Sequence, residues 1–600
     1  MSVNLPKRSE VAIKDTWDLD VIFKNNEEWE ASYKKVEAEY PAIEKFKGHI
    51  LDSADTLLEL LKFSEAVSLQ AMHLYVFTHL NSDTDVSNGT YLAMQTRAIN
   101  LITNIEAAFA FIDPEILEAD EKVLDDYINS NDELTVYKHY FKRLLARRPY
   151  TLTDREESIL AMTSGTLSLF DEIYGVYTNS EMKMPIVKDE NGVEMKLSYG
   201  RYAKLRENAN KDVRREAFMG MHNTYGDNKN TLATVLAGNV KAGNLNATIR
   251  GYNSARHAAL FANNVDESVY EGLVSTINNN IDALHEYVAV RKDVLGLDEI
   301  NMYDLYTPLV AEVDIKFTQE AAKEIIIEAL APLGEEYVSV VKRAFDERWM
   351  DLVENENKRS GAYSSGTYGT NPYILMNWQD SLDNVYTLAH ELGHSLHSYY
   401  TRKYQPQVYG NYSIFVAEVA STTNEQLLTD YFLKKYPEKE MQAYILNHYL
   451  DGVKGTVFRQ TQFAEFEHFI YTSEQAGQAL TGEMLTDAYF DMNKKYYGDV
   501  MTYDKEIGYE WALIPHFYYN YYVYQYATGF SAATSLALNI LSGDQAKIDA
   551  YIDYLKAGSS DYPINVLKKA GVDMNSPKPI EDTLKVFRER LAKLSEILQD

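Results

Sequence analysis

The sequence predicts a mainly α-helical protein, on three observations. Apolar residues recur at spacings of three and four through Ser53 to Glu65, Glu267 to Asp293 and Thr318 to Leu330, the pattern of helices that bury one face. The 14 prolines fall mostly between such segments, where they interrupt no helical hydrogen bonds. Only three stretches break the pattern clearly. Residues Met182 to Ser198 alternate around Glu190-Asn191-Gly192, which predicts a β-hairpin with Asn-Gly in its turn. Residues Ser360 to Thr370 are rich in Gly, Ser and Tyr and lead into Pro372-Tyr373-Ile374-Leu375-Met376, which reads as a strand. The third, Ala557 to Pro563, is a loop before the last helices.

No internal repeat or low-complexity linker divides the chain. The hairpin offers the one boundary, near residue 200, which makes residues 1–200 an N-terminal helical lobe ending in the hairpin and residues 201–600 a second, larger domain that carries the chemistry-bearing motifs taken up below.

Composition narrows the function classes. With 46% hydrophobic and 24% charged residues the chain is ordinary for a soluble globular protein. No stretch approaches the ~20 uninterrupted apolar residues of a membrane span, and Met1 to Arg8 lacks the apolar run of a secretory signal. There is no cysteine, so disulfides and thiolate metal sites are excluded. A cytoplasmic location is expected. The net charge of -31 repels phosphate backbones, so nucleic acid is not expected as a partner, and without an apolar span neither is a membrane.

Chemistry concentrates in His390-Glu391-Leu392-Gly393-His394. On a helix, histidines four apart project from one face and can share one metal ion. Glu391 lies about 100° further round the axis, so it can reach a metal-bound water without ligating the metal. Asp380 or Ser381 can cap such a helix, and Val385, Leu388, Leu392 and Leu396 give it an apolar stripe. With only 13 histidines in 600 residues, this spacing rarely arises by chance.

A catalytic zinc takes three protein ligands and keeps one position open. Two residues compete for the third place. Glu418 stands among Phe415, Val416, Ala417, Val419 and Ala420. A carboxylate buried there needs a partner, a metal ion or a Lys or Arg, because an unpaired buried charge is costly. His397 follows His394 by three residues, but helical rise puts it roughly 10 Å from His390 along the axis. Glu418 is therefore favoured, with His397 lining the site. Glu425, two turns beyond Glu418, could orient a ligand histidine, but the sequence favours an ordinary solvated helix face for it.

The run Thr387 to His397 resembles the active-site signature of the thimet-oligopeptidase family of zinc metallopeptidases. Gly361-Ala362-Tyr363, Pro372 to Asn377, Phe415 to Thr422, His516-Phe517-Tyr518 with Tyr524 to Gly529, and the loop Ala557 to Pro563 narrow the resemblance to its oligoendopeptidase F branch. The resemblance implies a two-lobed helical body enclosing a deep channel for short peptides, with a small β element beside the active-site helix. It also implies one Zn2+ ion held by His390, His394 and Glu418, with Glu391 as the base.

Hydrolysis also needs donors for an oxyanion. Tyr518 to Tyr526 holds six tyrosines in nine positions, where 47 tyrosines in 600 residues would put fewer than one. Neutral phenols can donate hydrogen bonds in a dry site. The resemblance points to His516 and Tyr524 as leading donors, with Tyr519 and Tyr521 as alternatives nearby. Pro372 to Asn377 is expected to act as an edge strand that holds an extended peptide, with Tyr373 a candidate substrate contact.

The expected function is internal cleavage of short peptides. A metallo-carboxypeptidase would need a cation near the metal, and no Arg or Lys lies in the core motifs. A non-catalytic helical peptide-binding protein would have no use for Glu391 between the histidines.

Overall fold

The computed structural model describes residues 5–310 and 315–599. Helices hold 71% of the chain and strands 3%, so the mainly α prediction holds. The chain forms two compact units, each assembled from three stretches: Met1–Pro149, Ile315–Tyr431 and Leu536–Gly571 in the first, and Tyr150–Asp314, Phe432–Ser535 and Val572–Asp600 in the second.

The first unit begins with α1 (Asn26–Glu39), α2 (Ala54–Thr84) and α3 (Gly89–Phe109). Asn25, Ser53 and Asn88 cap them, each side chain accepting from a first-turn backbone N–H. Their apolar faces meet in a core of Trp29, Leu74, Phe77, Leu80, Leu101 and Ile105, which extends to Tyr373 and Leu375. The buried Trp29 indole donates to the Leu74 carbonyl (3.0 Å).

A small sheet follows, formed by β1 (Met350–Asp351), β2 (Tyr363–Ser365) and β3 (Tyr373–Leu375). β3 lies in the middle, parallel to β1 and antiparallel to β2, with Ile374 opposite Met350 and Ser364. This corrects the expectation that Pro372 to Asn377 forms an edge. Both sides of β3 are taken, and its residues are fully buried. β2, inside the Gly-Ser-Tyr segment, is one of the two outer strands. On the sheet, the buried Asp351 carboxylate pairs with Arg8 and with Lys358 (2.7 Å).

The unit also holds α4 (Leu382–Tyr404), α5 (Ile414–Lys435) and α6 (Gln545–Ala557). The expected cap of α4 is Ser381, whose Oγ accepts from the N–H of Asn384 (3.2 Å). Asp380 instead sits in the left-handed region at φ 54° and accepts from the Trp378 indole. Val385, Leu388, Leu392 and Leu396 are all buried, as the stripe predicted.

In the second unit the expected hairpin is present: Ile186–Lys188 pairs antiparallel with Glu194–Lys196, Val187 opposite Met195. The predicted helix over Glu267 to Asp293 is two, Glu267–Asn279 and Asp282–Val294. Helix Arg459–Gln475, the short turn Pro515–Tyr518 and the part of helix Tyr524–Leu541 up to Ser535 carry the tyrosine-rich segment and its supports. The residue-200 boundary lies within the first stretch of this unit. No helix among the described residues is long and apolar enough to cross a membrane.

Candidate metal centre

The centre is made by α4 and α5 running antiparallel in contact. Tyr386 meets Thr429 (3.1 Å), the Asn424 amide donates to the Ala389 carbonyl (3.0 Å), and Gly393 lies against Ser421. A Cβ on Gly393 would fall 2.5 Å from Ser421 Cα and 2.8 Å from both the Ala420 carbonyl oxygen and the Ser421 nitrogen. Only glycine allows that approach, and the approach carries Glu418 to the histidines.

Three ligand atoms converge there. His390 Nε2 and His394 Nε2 are 3.1 Å apart. Glu418 Oε2 lies 3.2 Å from the first and 3.4 Å from the second. Ligands bonded at about 2.0–2.1 Å to a tetrahedral ion stand about 3.3 Å from one another. The three residues could therefore hold a metal ion with little adjustment. His397 lies outside the cluster. Its ring is buried and stacks on Tyr412 at 3.7 Å, and burial pushes its imidazole down to about 3.

Glu418 reaches the cluster differently from the sequence expectation. Phe415, Val416, Val419 and Ala420 are buried, but the Glu418 side chain is 48% exposed. The carboxylate lies off the apolar stripe and is held by the histidines. Burial pushes its carboxyl up, and the hydrogen bonds with His390 and His394 outweigh this and hold it well below the usual range.

Glu425 approaches from the same helix, its Oε1 2.9 Å from His390 Nδ1. Burial lowers the His390 imidazole, yet Glu418 and Glu425 together raise it to about 10. The surroundings thus favour positive charge at this point. Glu391 is 6% exposed, and its Oε2 is buried without a hydrogen bond among the described residues. Burial raises its carboxyl above the ordinary range, with the two histidines opposing. A carboxylate so placed is a stronger base than a solvated one.

β2 borders the same helix, since Ser364 Oγ lies 2.8 Å from Ser395 Oγ, next to His394. Tyr373 is committed elsewhere: its ring is buried and its hydroxyl donates to the Asp18 carbonyl (2.9 Å).

His516, Tyr519, Tyr521 and Tyr524 belong to the second unit. His516 is half-buried between the rings of Tyr519 and Tyr526, and burial lowers its imidazole, favouring the neutral form. Tyr519 is 49% exposed, whereas Tyr521 and Tyr524 are buried. Burial pushes the Tyr524 phenol up, keeping it protonated.

Sequence reasoning missed the residues that seat the helix pair. Asn424 is fully buried, accepting from the Tyr337 hydroxyl (3.1 Å) while donating to Ala389. The run Ala420-Ser421-Thr422-Thr423-Asn424 was the available signal, since small residues at this density mark close helix packing.

Known proteins resemble this chain along most of its length. The model of peptidase family M3 matches residues 204–586, and that of oligopeptidase F matches residues 115–183. Oligopeptidase PepF of Bacillus subtilis strain 168 is 51% identical over 99% of this chain and 89% of that protein. Group B oligopeptidase PepB of Streptococcus agalactiae is 45% identical over 98% of each. The crystal structure of oligoendopeptidase-F from Enterococcus faecium superposes with a TM-score of 0.74 at 39% identity, covering 96% of this chain and 99% of that one.

Proposed function

This chain belongs to peptidase family M3, in its oligopeptidase F branch, and is a metallo-oligopeptidase; from that premise we propose that it cleaves internal bonds of short peptides using one zinc ion. The ligands are His390, His394 and Glu418, and the triangle of ligand atoms with edges of 3.1, 3.2 and 3.4 Å carries the reading. Two imidazoles and a carboxylate are a donor set that suits zinc in hydrolytic sites. Zinc supplies Lewis acidity, polarising the scissile carbonyl and acidifying a water.

The chain's own groups do the rest. Glu391 takes the water's proton and passes it to the leaving amine, a role supported by its buried, unpartnered Oε2. Glu425 fixes the orientation of the His390 ring. His516 and Tyr524 donate to the oxyanion, Tyr519 and Tyr521 flank them, and the neutral forms of His516 and Tyr524 suit that task. The free edge of β2 offers main-chain groups to an extended peptide beside α4. His397 shapes the wall of the site through Tyr412.

A cytoplasmic location, short peptides as substrates and no contact with nucleic acid or membrane complete the reading. They are supported by the strong negative charge and the absence of cysteine. The hairpin falls between the two matched regions, 115–183 and 204–586, which supports a division of the sequence near residue 200.

The test is Glu391→Gln with a short quenched peptide blocked at both ends. The variant should keep one zinc per chain and lose cleavage, and the wild type should lose cleavage to a chelator. Turnover by the variant at the wild-type rate refutes the assignment of the base. Failure of the wild type to cut the doubly blocked peptide, while it trims free termini, refutes internal cleavage.

A further inference from the structure

Helix Arg459–Gln475 buries a carboxyl that the proposed chemistry does not use. Glu467 is fully buried, and its Oε1 accepts from the backbone N–H of Tyr521 at 2.6 Å. Its Oε2 is buried without a hydrogen bond among the described residues. The next residue, His468, places Nδ1 3.1 Å from the Tyr521 hydroxyl. Two consecutive residues of one helix therefore hold Tyr521 at its backbone and at its phenol.

What they hold is a strained turn. Asn520 and Tyr521 have φ of 48° and 56°, a left-handed conformation that is unfavourable for side chains, above all bulky ones. Asn tolerates this region, but a bulky Tyr there is strained and persists only where the surroundings over-determine it. Around this turn the rings of Tyr270 and Tyr471 pack on Tyr521 at 5.7 and 4.9 Å. Tyr471 is itself seated against helix Lys229–Arg250 at Gly243, where a Cβ would come within 3.0 Å of its ring. Three residues beyond Tyr521, helix Tyr524–Leu541 begins, and the Tyr270 ring packs on Tyr524 at 5.3 Å.

An apolar side chain at 467 would pack here without the cost of burying a carboxyl, but would leave the buried Tyr521 N–H without its acceptor. The acceptor at this position thus serves the turn and not apolar packing. We propose that Glu467 is a positioning residue for peptide hydrolysis, pinning the left-handed Asn520-Tyr521 turn that sets Tyr524 at the start of its helix. The inference rests on the reading of Tyr524 as an oxyanion donor.

The experiment compares zinc-loaded Glu467→Gln, which keeps a carbonyl acceptor, with Glu467→Ala and with Glu467→Met, which fills the space without one. With the blocked peptide, kcat should fall about tenfold or more in the Ala and Met variants, with KM changed less than about threefold and zinc content unchanged. Gln should stay within about threefold of wild type. Hydrogen exchange gives a second readout that needs no turnover. Exchange over 518–524 should quicken in Ala and Met but not in Gln, while helices 459–475 and 482–497 keep their protection. Unchanged kcat in Ala or Met, a Gln variant as impaired as Ala, or exchange rising evenly through the unit overturns the proposal. Because Glu391→Gln tests the base and exchange tests the turn, failure of one reading is distinguishable from failure of the other.

Discussion

Gly393 and Ser421 touch backbone to backbone: a Cβ on the glycine would lie 2.5 Å from the serine Cα. The glycine of the histidine motif thus has a packing duty that its metal chemistry does not reveal. Gly393→Ala gains about 0.8–1 kcal/mol of helix propensity, while forcing apart two backbones costs about 1–3 kcal/mol. The overlap wins. The variant is expected to melt lower than wild type and, because the shift moves Glu418 away from His390 and His394, to bind zinc about tenfold more weakly. Thermal melts with and without zinc, and a metal-buffer titration, measure both. Wild-type affinity in a folded Gly393→Ala protein would show that the contact does not place Glu418.

Glu425 stands 2.9 Å from the far nitrogen of His390. Partners of this kind fix the tautomer and direction of a ligand ring, and their loss typically weakens metal binding 10–100-fold. Glu425→Ala should fall in that range, and Glu425→Gln, which keeps an acceptor, should lose less than about tenfold. Equal affinities for Ala and wild type would return Glu425 to an ordinary helix face.

How much of this was legible follows from what is local. The spacing of His390 and His394, the Ser381 cap and the apolar stripe of α4 all depend on neighbours within a few residues, and all were readable. Glu418 was chosen by its apolar neighbours, although helical geometry places it off their stripe. Phe415, Val416, Val419 and Ala420 share one face, and the carboxylate turns away from it. The position of β3 between two strands was not readable, because its partner Met350–Asp351 is two residues long and carries no pattern of its own. The same holds for the two units, each gathered from three distant stretches. Glu467 likewise looks like any helical acid until Tyr521 is seen against it.

The sheet that borders α4 depends on one buried charge cluster. Asp351 and Lys358 are both fully buried, 2.7 Å apart, with Arg8 also on the carboxylate. Lys358 donates further to the carbonyls of Asp351 and Val353. Removing one partner of such a pair leaves an uncompensated charge and costs about 3–5 kcal/mol. Asp351→Ala should therefore destabilise strongly. The double variant Asp351→Leu with Lys358→Met should recover part of the loss, since it strands less charge. Denaturant unfolding of the wild type and the two variants checks this, and a double variant no more stable than Asp351→Ala would contradict it.

Glu467 also predicts how stability varies with pH. Burial pushes its carboxyl up to about 8, opposed only by the Tyr521 N–H, and the groups facing it are the neutral phenols of Tyr270, Tyr471 and Tyr521. A carboxyl raised by folding contributes stability that is fully present below its ordinary range. That contribution is lost as pH rises through about 8, because the unfolded chain ionises freely and the folded chain resists. The full loss is on the order of 5 kcal/mol at the conversion of about 1.4 kcal/mol per unit. Wild-type stability should decline from pH 5 to pH 9, and Glu467→Gln, which cannot ionise, should flatten that decline and be the more stable protein at pH 9. Unfolding curves taken across this range provide the measurement. Parallel declines in the two proteins would mean that Glu467 is ionised in the folded state and carries its charge with a partner.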